Sequence, residues 1–132
     1  MFEFSNRSLK RLEGVNPQLI ELMKKAIARS PIDFGIPADG GKRTAERQKE
    51  LYDKGVSKCD GTITKSYHQS GNAVDVYAYV DGKASWDVEH LAMIAGVVLS
   101  VAAEMNLNVR WGGTFGSRVF KGWDRPHFEI RD

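Results

Sequence analysis

Apolar residues recur at helical spacing through Leu19, Ile20, Met23, Ala26 and Ile27, the stripe of an amphipathic helix. Asn16-Pro17 opens that helix, with asparagine as cap and proline at the first helical position, and Ser30-Pro31 ends it. Ile32 to Ile36 reads as a short strand, and Pro37 to Gly41 as a loop of turn residues. Thr44 caps a second helix with Glu46 in its first turn; it runs to Lys54, with Gly55 just past its end. Val56 to Ser66 is polar, with a turn at Asp60-Gly61. Ala73 to Tyr79 is predicted as one strand, ended by Asp81-Gly82. A long helix starts at Ser85 or Asp87 and covers about Val88 to Met105. It is apolar on most sides, so it is predicted to be buried centrally. Val109 to Trp111 is a short strand, Gly112 to Gly122 a glycine-rich loop, and His127 to Ile130 the last strand. Strands and helices mix without regular alternation, which predicts an α+β fold with helices packed on a small antiparallel sheet.

Composition narrows the function classes. The chain has 132 residues, 42% apolar and 27% charged, a length and balance suited to one globular domain spanning 1–132. The apolar stretch from Leu91 to Ala103 is too short to span a bilayer and contains Gly96 and Ser100, so no membrane insertion is expected. Net charge is +2, from 19 basic and 17 acidic residues. Scattered charge of this kind argues against nucleic-acid binding. A single cysteine, Cys59, excludes an internal disulfide and a cysteine-rich zinc site; it reads as an incidental loop residue. The amino-terminal residues lack the basic and apolar runs of a secretory signal, so synthesis in a cytoplasm is expected.

Candidate chemistry sits in two places. Ser66-Tyr-His68-Gln-Ser-Gly71-Asn-Ala73-Val-Asp75 offers an imidazole and a carboxylate, and Trp123-Asp124-Arg-Pro126-His127 offers a second imidazole. Two histidines and one aspartate suit a catalytic Zn²⁺, because three protein ligands leave a fourth position for water. From His68 to Asp75 a continuous helix would rise about 10 Å and a continuous strand about 23 Å, so a turn at Gly71-Asn72 is needed to join them. On a strand, Asp75 faces opposite to Val74 and Val76, and His127 shares a face with Glu129. If the two strands are neighbours, Asp75 and His127 point into one groove. Aspartate is disfavoured inside strands, so Asp75 calls for a partner. Pro126 keeps Asp124 and His127 on an extended or turned segment, placing Asp124 near the metal without making it a ligand. Glu129 is a rival base that also reads as solvent-facing. His90, on the long helix, reads as an ordinary helix-face residue. Trp111 reads as a core anchor, and Trp123 as a core residue or a groove wall.

These motifs together, with Arg43-Thr-Ala-Glu46-Arg-Gln48-Lys-Glu-Leu51-Tyr52-Asp-Lys-Gly55 upstream, resemble the zinc D-Ala-D-Ala-type peptidases. That group includes VanX- and VanY-like enzymes and the phage L-alanyl-D-glutamate endopeptidases. Aspartate three residues before the last histidine, the short chain and the missing signal make the likeness greatest to the phage endolysins. The resemblance implies a Hedgehog/DD-peptidase-like fold with His68, Asp75 and His127 on zinc and Asp124 as general base. It implies Arg43 as the cation for the oxyanion or substrate, with Ser66 lining the site, and Trp123 is expected to bind the substrate as a groove wall. The expected substrate is the peptidoglycan stem peptide, cut between L-Ala and D-Glu. No separate wall-binding domain and no partner beyond the substrate are expected, and the chain should be a monomer that reaches the wall after release from the host cytoplasm. Two other readings stay open: a D-Ala-D-Ala carboxypeptidase or dipeptidase, and a zinc-stabilised binding module without catalysis.

Overall fold

The computed structural model describes residues 1–57, 59–62, 66–115 and 124–132. Helix α1 (Asn6–Arg11) precedes the first helix read from the sequence; it is a short helix capped by Ser5, whose side chain accepts from Ser8 N. Helix α2 (Pro17–Arg29) begins as predicted, with the Asn16 side chain accepting a hydrogen bond from Gln18 N. Strand β1 (Asp33–Gly35) and helix α3 (Ala45–Asp53) follow, and Thr44 accepts from Arg47 N at the α3 cap.

The predicted strand from Ala73 to Tyr79 is two strands. Strand β2 (Ala73–Asp75) and strand β3 (Tyr77–Val80) belong to different sheets. The chain changes sheet at Val76, whose N–H donates to Pro126 O, outside either ladder. Strand β4 (Lys83–Ser85), absent from the sequence reading, forms a tight hairpin with β3 across Asp81-Gly82. One sheet has the order β1-β3-β4. The other contains β2, strand β6 (His127–Ile130) and strand β5 (Val109–Trp111) in the order β2-β6-β5, all antiparallel. The single small sheet expected from the sequence is therefore a pair of three-stranded sheets.

Helix α4 (Val88–Glu104) packs on α2 and on both sheets. It is not buried all round. Leu91, Ile94, Ala95, Val98, Val101 and Ala102 form its buried stripe, while Val88 and Met93 are exposed. Only one face meets the core, because α2 and the sheets lie to one side. Val74, Val76 and Phe128 fill the core from the strand side. Trp111 is buried with them and its indole N–H donates to Arg125 O at 2.6 Å, so the anchor also fixes the segment just before His127. Among the described residues no helix is long and apolar enough to cross a membrane.

Candidate metal centre

Strands β2 and β6 pair in a register that sets Asp75 directly opposite His127, with Val74 opposite Phe128. Cross-strand partners share a face and lie within side-chain reach. The alternation of each strand thus sends two apolar residues into the core and two ligand types to the other side. His68 arrives from the turn before β2. Asn72 N donates to Tyr67 O and Gly71 N to His68 O, folding the segment back. Gly71 has φ +79, and a Cβ there would lie 2.7 Å from Gly14 O, so both backbone angle and space call for glycine.

The three donor atoms form a nearly equilateral triangle. His68 Nε2 lies 3.2 Å from Asp75 Oδ1 and 3.2 Å from His127 Nδ1, and His127 Nδ1 lies 3.1 Å from Asp75 Oδ1. A tetrahedral ion with bonds of about 2.0–2.1 Å separates its donors by about 3.3–3.4 Å, so the group matches a metal site with little adjustment. The outer ring nitrogens decide which lone pairs face inward. His68 Nδ1–H donates to Gly41 O at 2.8 Å, and His127 Nε2–H donates to Glu129 Oε1 at 2.8 Å. In its neutral form each imidazole then presents an unprotonated nitrogen to the same point, the arrangement that orients metal-binding histidines. Two such nitrogens 3.2 Å apart beside a carboxylate repel one another unless a cation sits between them.

The electrostatics agree. Burial alone would raise the Asp75 carboxyl, but its bonds to His127 and His68 outweigh this and hold it well below the usual range. Burial alone would lower the His127 imidazole, but Asp75 and Glu129 raise it to about 9. The site therefore draws positive charge toward His127, as a proton or as a metal ion.

Asp124 opens a turn in which His127 N donates to its carbonyl, and its Oδ2 lies 3.8 Å from His127 Nδ1. Burial, then the nearby Asp75 charge, raises its carboxyl. A carboxylate whose proton affinity is raised beside the donor triangle is suited to take up and return a proton. Arg43 lies against Asp75. Its Nη2 donates to Asp75 Oδ2 at 3.2 Å, Nη1 to Gln48 Oε1 and Nε to Asp39 O. Ser66 lines the same cleft, where its hydroxyl accepts from His68 N. Trp123, with the rest of residues 116–123, lies outside the described residues. His90 bonds Ser85 Oγ at 2.7 Å on α4 and is not part of the donor group. Cys59 lines the cleft, but burial pushes its thiol up, against a reactive thiolate.

Two contributors escaped the sequence reading. Glu129 does not face solvent: it is buried between His127 Nε2 and Arg131 Nε, so it orients the His127 ring within the donor group. Its place on the ligand face was legible, but not the strand pairing and the arginine that cover it. Gln48 is fully buried and bridges Arg43 to Ser57 Oγ and Cys59 O. A polar residue on the inner side of α3 was the available signal.

The comparisons with known proteins point the same way. Residues 1–130 match the family model described as phage L-alanyl-D-glutamate peptidase. The chain is 28% identical over 137 residues to the L-alanyl-D-glutamate peptidase of Escherichia phage T5, covering 98% of each. It superposes on the crystal structure of the Serratia marcescens L-Ala D-Glu endopeptidase ChiX with a TM-score of 0.81 and 34% identity, covering 98% of this chain and 90% of that one. A fold shared over nearly the full length, with a histidine–aspartate–histidine group converging inside it, places the chain in the phage L-alanyl-D-glutamate peptidase family.

Proposed function

We propose that this chain is a zinc-dependent endopeptidase that hydrolyses the L-Ala–D-Glu bond of the peptidoglycan stem peptide. His68, Asp75 and His127 hold the metal, Asp124 is the general base and Arg43 is the nearby cation. The observation that carries the reading is the triangle of inward-facing donors with edges of 3.1–3.2 Å. A divalent ion bound there supplies Lewis-acid polarisation and acidifies water. Asp124 takes the proton from the attacking water and returns it to the leaving amine, a use for which its raised affinity for protons is suited. Arg43 orients Asp75 through the bond from its Nη2. Three of its five N–H groups are used, which leaves two for a developing oxyanion. Ser66 shapes the turn that presents His68. The protein acts as a monomer on the cell wall.

The test is digestion of purified sacculi followed by mass spectrometry. The expected product carries a new amino-terminal D-Glu, chelator abolishes its formation and zinc restores it. Asp124→Ala should keep stoichiometric zinc and lose turnover by about 10²–10⁴-fold. Cleavage at another bond, chelator-resistant turnover, or an Asp124→Ala enzyme of normal rate would overturn the corresponding part.

A further inference from the structure

Two hollows meet at Arg131. The metal cleft, about 560 Å³, is lined by Arg131 together with the donor group. A larger hollow of about 860 Å³ lies beside it and shares Ser66, Tyr67 and Arg131 as its walls. The metal cleft is rich in acid, with Asp39, Asp75, Asp124 and Glu129 all on its surface. A substrate cut before a glutamyl residue brings another negative charge. Glutamate has two carboxyl groups, and the chain can continue through only one of them. The other remains a free carboxylate a few bonds from the scissile nitrogen. Entering an acidic cleft, it is repelled unless a cation receives it.

Among the described residues, the cleft offers two guanidinium groups, Arg43 and Arg131. Arg43 has a side chain only 12% exposed, and each of its three nitrogens already donates a hydrogen bond. Arg131 is 37% exposed. It donates from Nε alone, to Glu129 Oε2 at 2.6 Å, and its two terminal nitrogens form no hydrogen bond among the described residues. Its guanidinium lies 5.7 Å from the centre of the Tyr67 ring. A side chain held at Nε and across an aromatic face, with its terminal nitrogens unused, is preorganised to take a carboxylate through two parallel bonds.

We propose that Arg131 is a specificity-determining residue that binds the free carboxylate of the glutamyl residue following the cleaved bond, at the boundary between the two hollows. This rests on the peptidase reading above. It predicts that the protein distinguishes a free carboxylate from a carboxamide at that position.

The test uses two synthetic stem peptides that differ only there, carboxylate against carboxamide, with the zinc-loaded full chain. The wild type should prefer the carboxylate by about 10–100-fold in kcat/KM, the range of a charge-assisted pair. Arg131→Gln should bring the ratio to about 3 or less, chiefly through KM, with zinc content unchanged. Arg131→Lys should recover part of it. Equilibrium titration of the glutamyl product peptide and its carboxamide should give the same pattern without turnover. Equal cleavage of both peptides by the wild type would overturn the proposal. So would an Arg131→Gln protein that loses activity on both alike and keeps the ratio, which is the signature of a residue that merely holds Glu129. Cleavage of neither peptide would refute the peptidase reading itself.

Discussion

Glu129 gives the most direct check on the reasoning behind the metal centre. Replacing it with alanine removes the acceptor of the His127 Nε2–H bond at 2.8 Å and of the Arg131 Nε bond at 2.6 Å. Its side chain is only 7% exposed, so water replaces it poorly. A buried donor left without a partner costs about 1–3 kcal/mol. The imidazole also becomes free to move its proton to Nδ1, which withdraws the lone pair from the metal. Loss of such an outer partner weakens metal binding by about 10–100-fold, or about 1.4–2.7 kcal/mol, so the two routes agree. Glu129→Gln keeps an acceptor but not the charge. Charge-assisted bonds are about twice as strong as neutral ones, so the weakening should be about 3–10-fold. The assay is competition for zinc against a chromophoric chelator at fixed pH and salt, with melting curves of the metal-free proteins as a stability control. Zinc affinity in Glu129→Ala within twofold of wild type would refute the idea that Glu129 fixes the His127 tautomer.

Gln48→Leu keeps the volume but strands Arg43 Nη1 and Cys59 O and takes one donor from Ser57 Oγ; it should cost about 2–4 kcal/mol and lower the melting temperature by about 7–15 °C, and a drop under about 2 °C would contradict this. Gly112→Ala puts a Cβ 1.8 Å from Asp124 O; the forced shift of Asp124 should lower turnover by about 10–100-fold with zinc retained, and wild-type turnover would dissociate Asp124 from catalysis. Asp39 accepts two bonds from Arg47, both 2.9 Å, and its carboxyl is lowered, first by those bonds. A lowered carboxyl contributes stability above its unfolded pKa of about 3.9, and that contribution is lost as pH falls through the folded value. Asp39→Asn should therefore cost about 0.5 kcal/mol at neutral pH, after allowance for solvent screening, and become neutral in strong acid; a pH-independent difference in denaturant melts would exclude the pair as its cause.

What the sequence determined alone was local. Side-chain alternation put Asp75 opposite Val74 and Val76, and His127 on the face of Glu129, while Asn16 and Thr44 announced their helices through caps that use neighbouring amides. Those features depend on residues a few positions apart, so composition and period suffice. Tertiary structure decided the rest. The strand from Ala73 breaks at Val76 because its two halves find partners in different parts of the chain, β6 and β1, and no local pattern encodes a distant partner. Asp75 meets His127 only through the β2–β6 register. Glu129 becomes buried only where Arg131 and His127 close over it, and α4 buries one stripe because its neighbours lie on one side. Face and period are written along the chain; which faces meet is set by the packing of segments far apart in sequence, where the gain from burial must exceed the entropy of bringing them together.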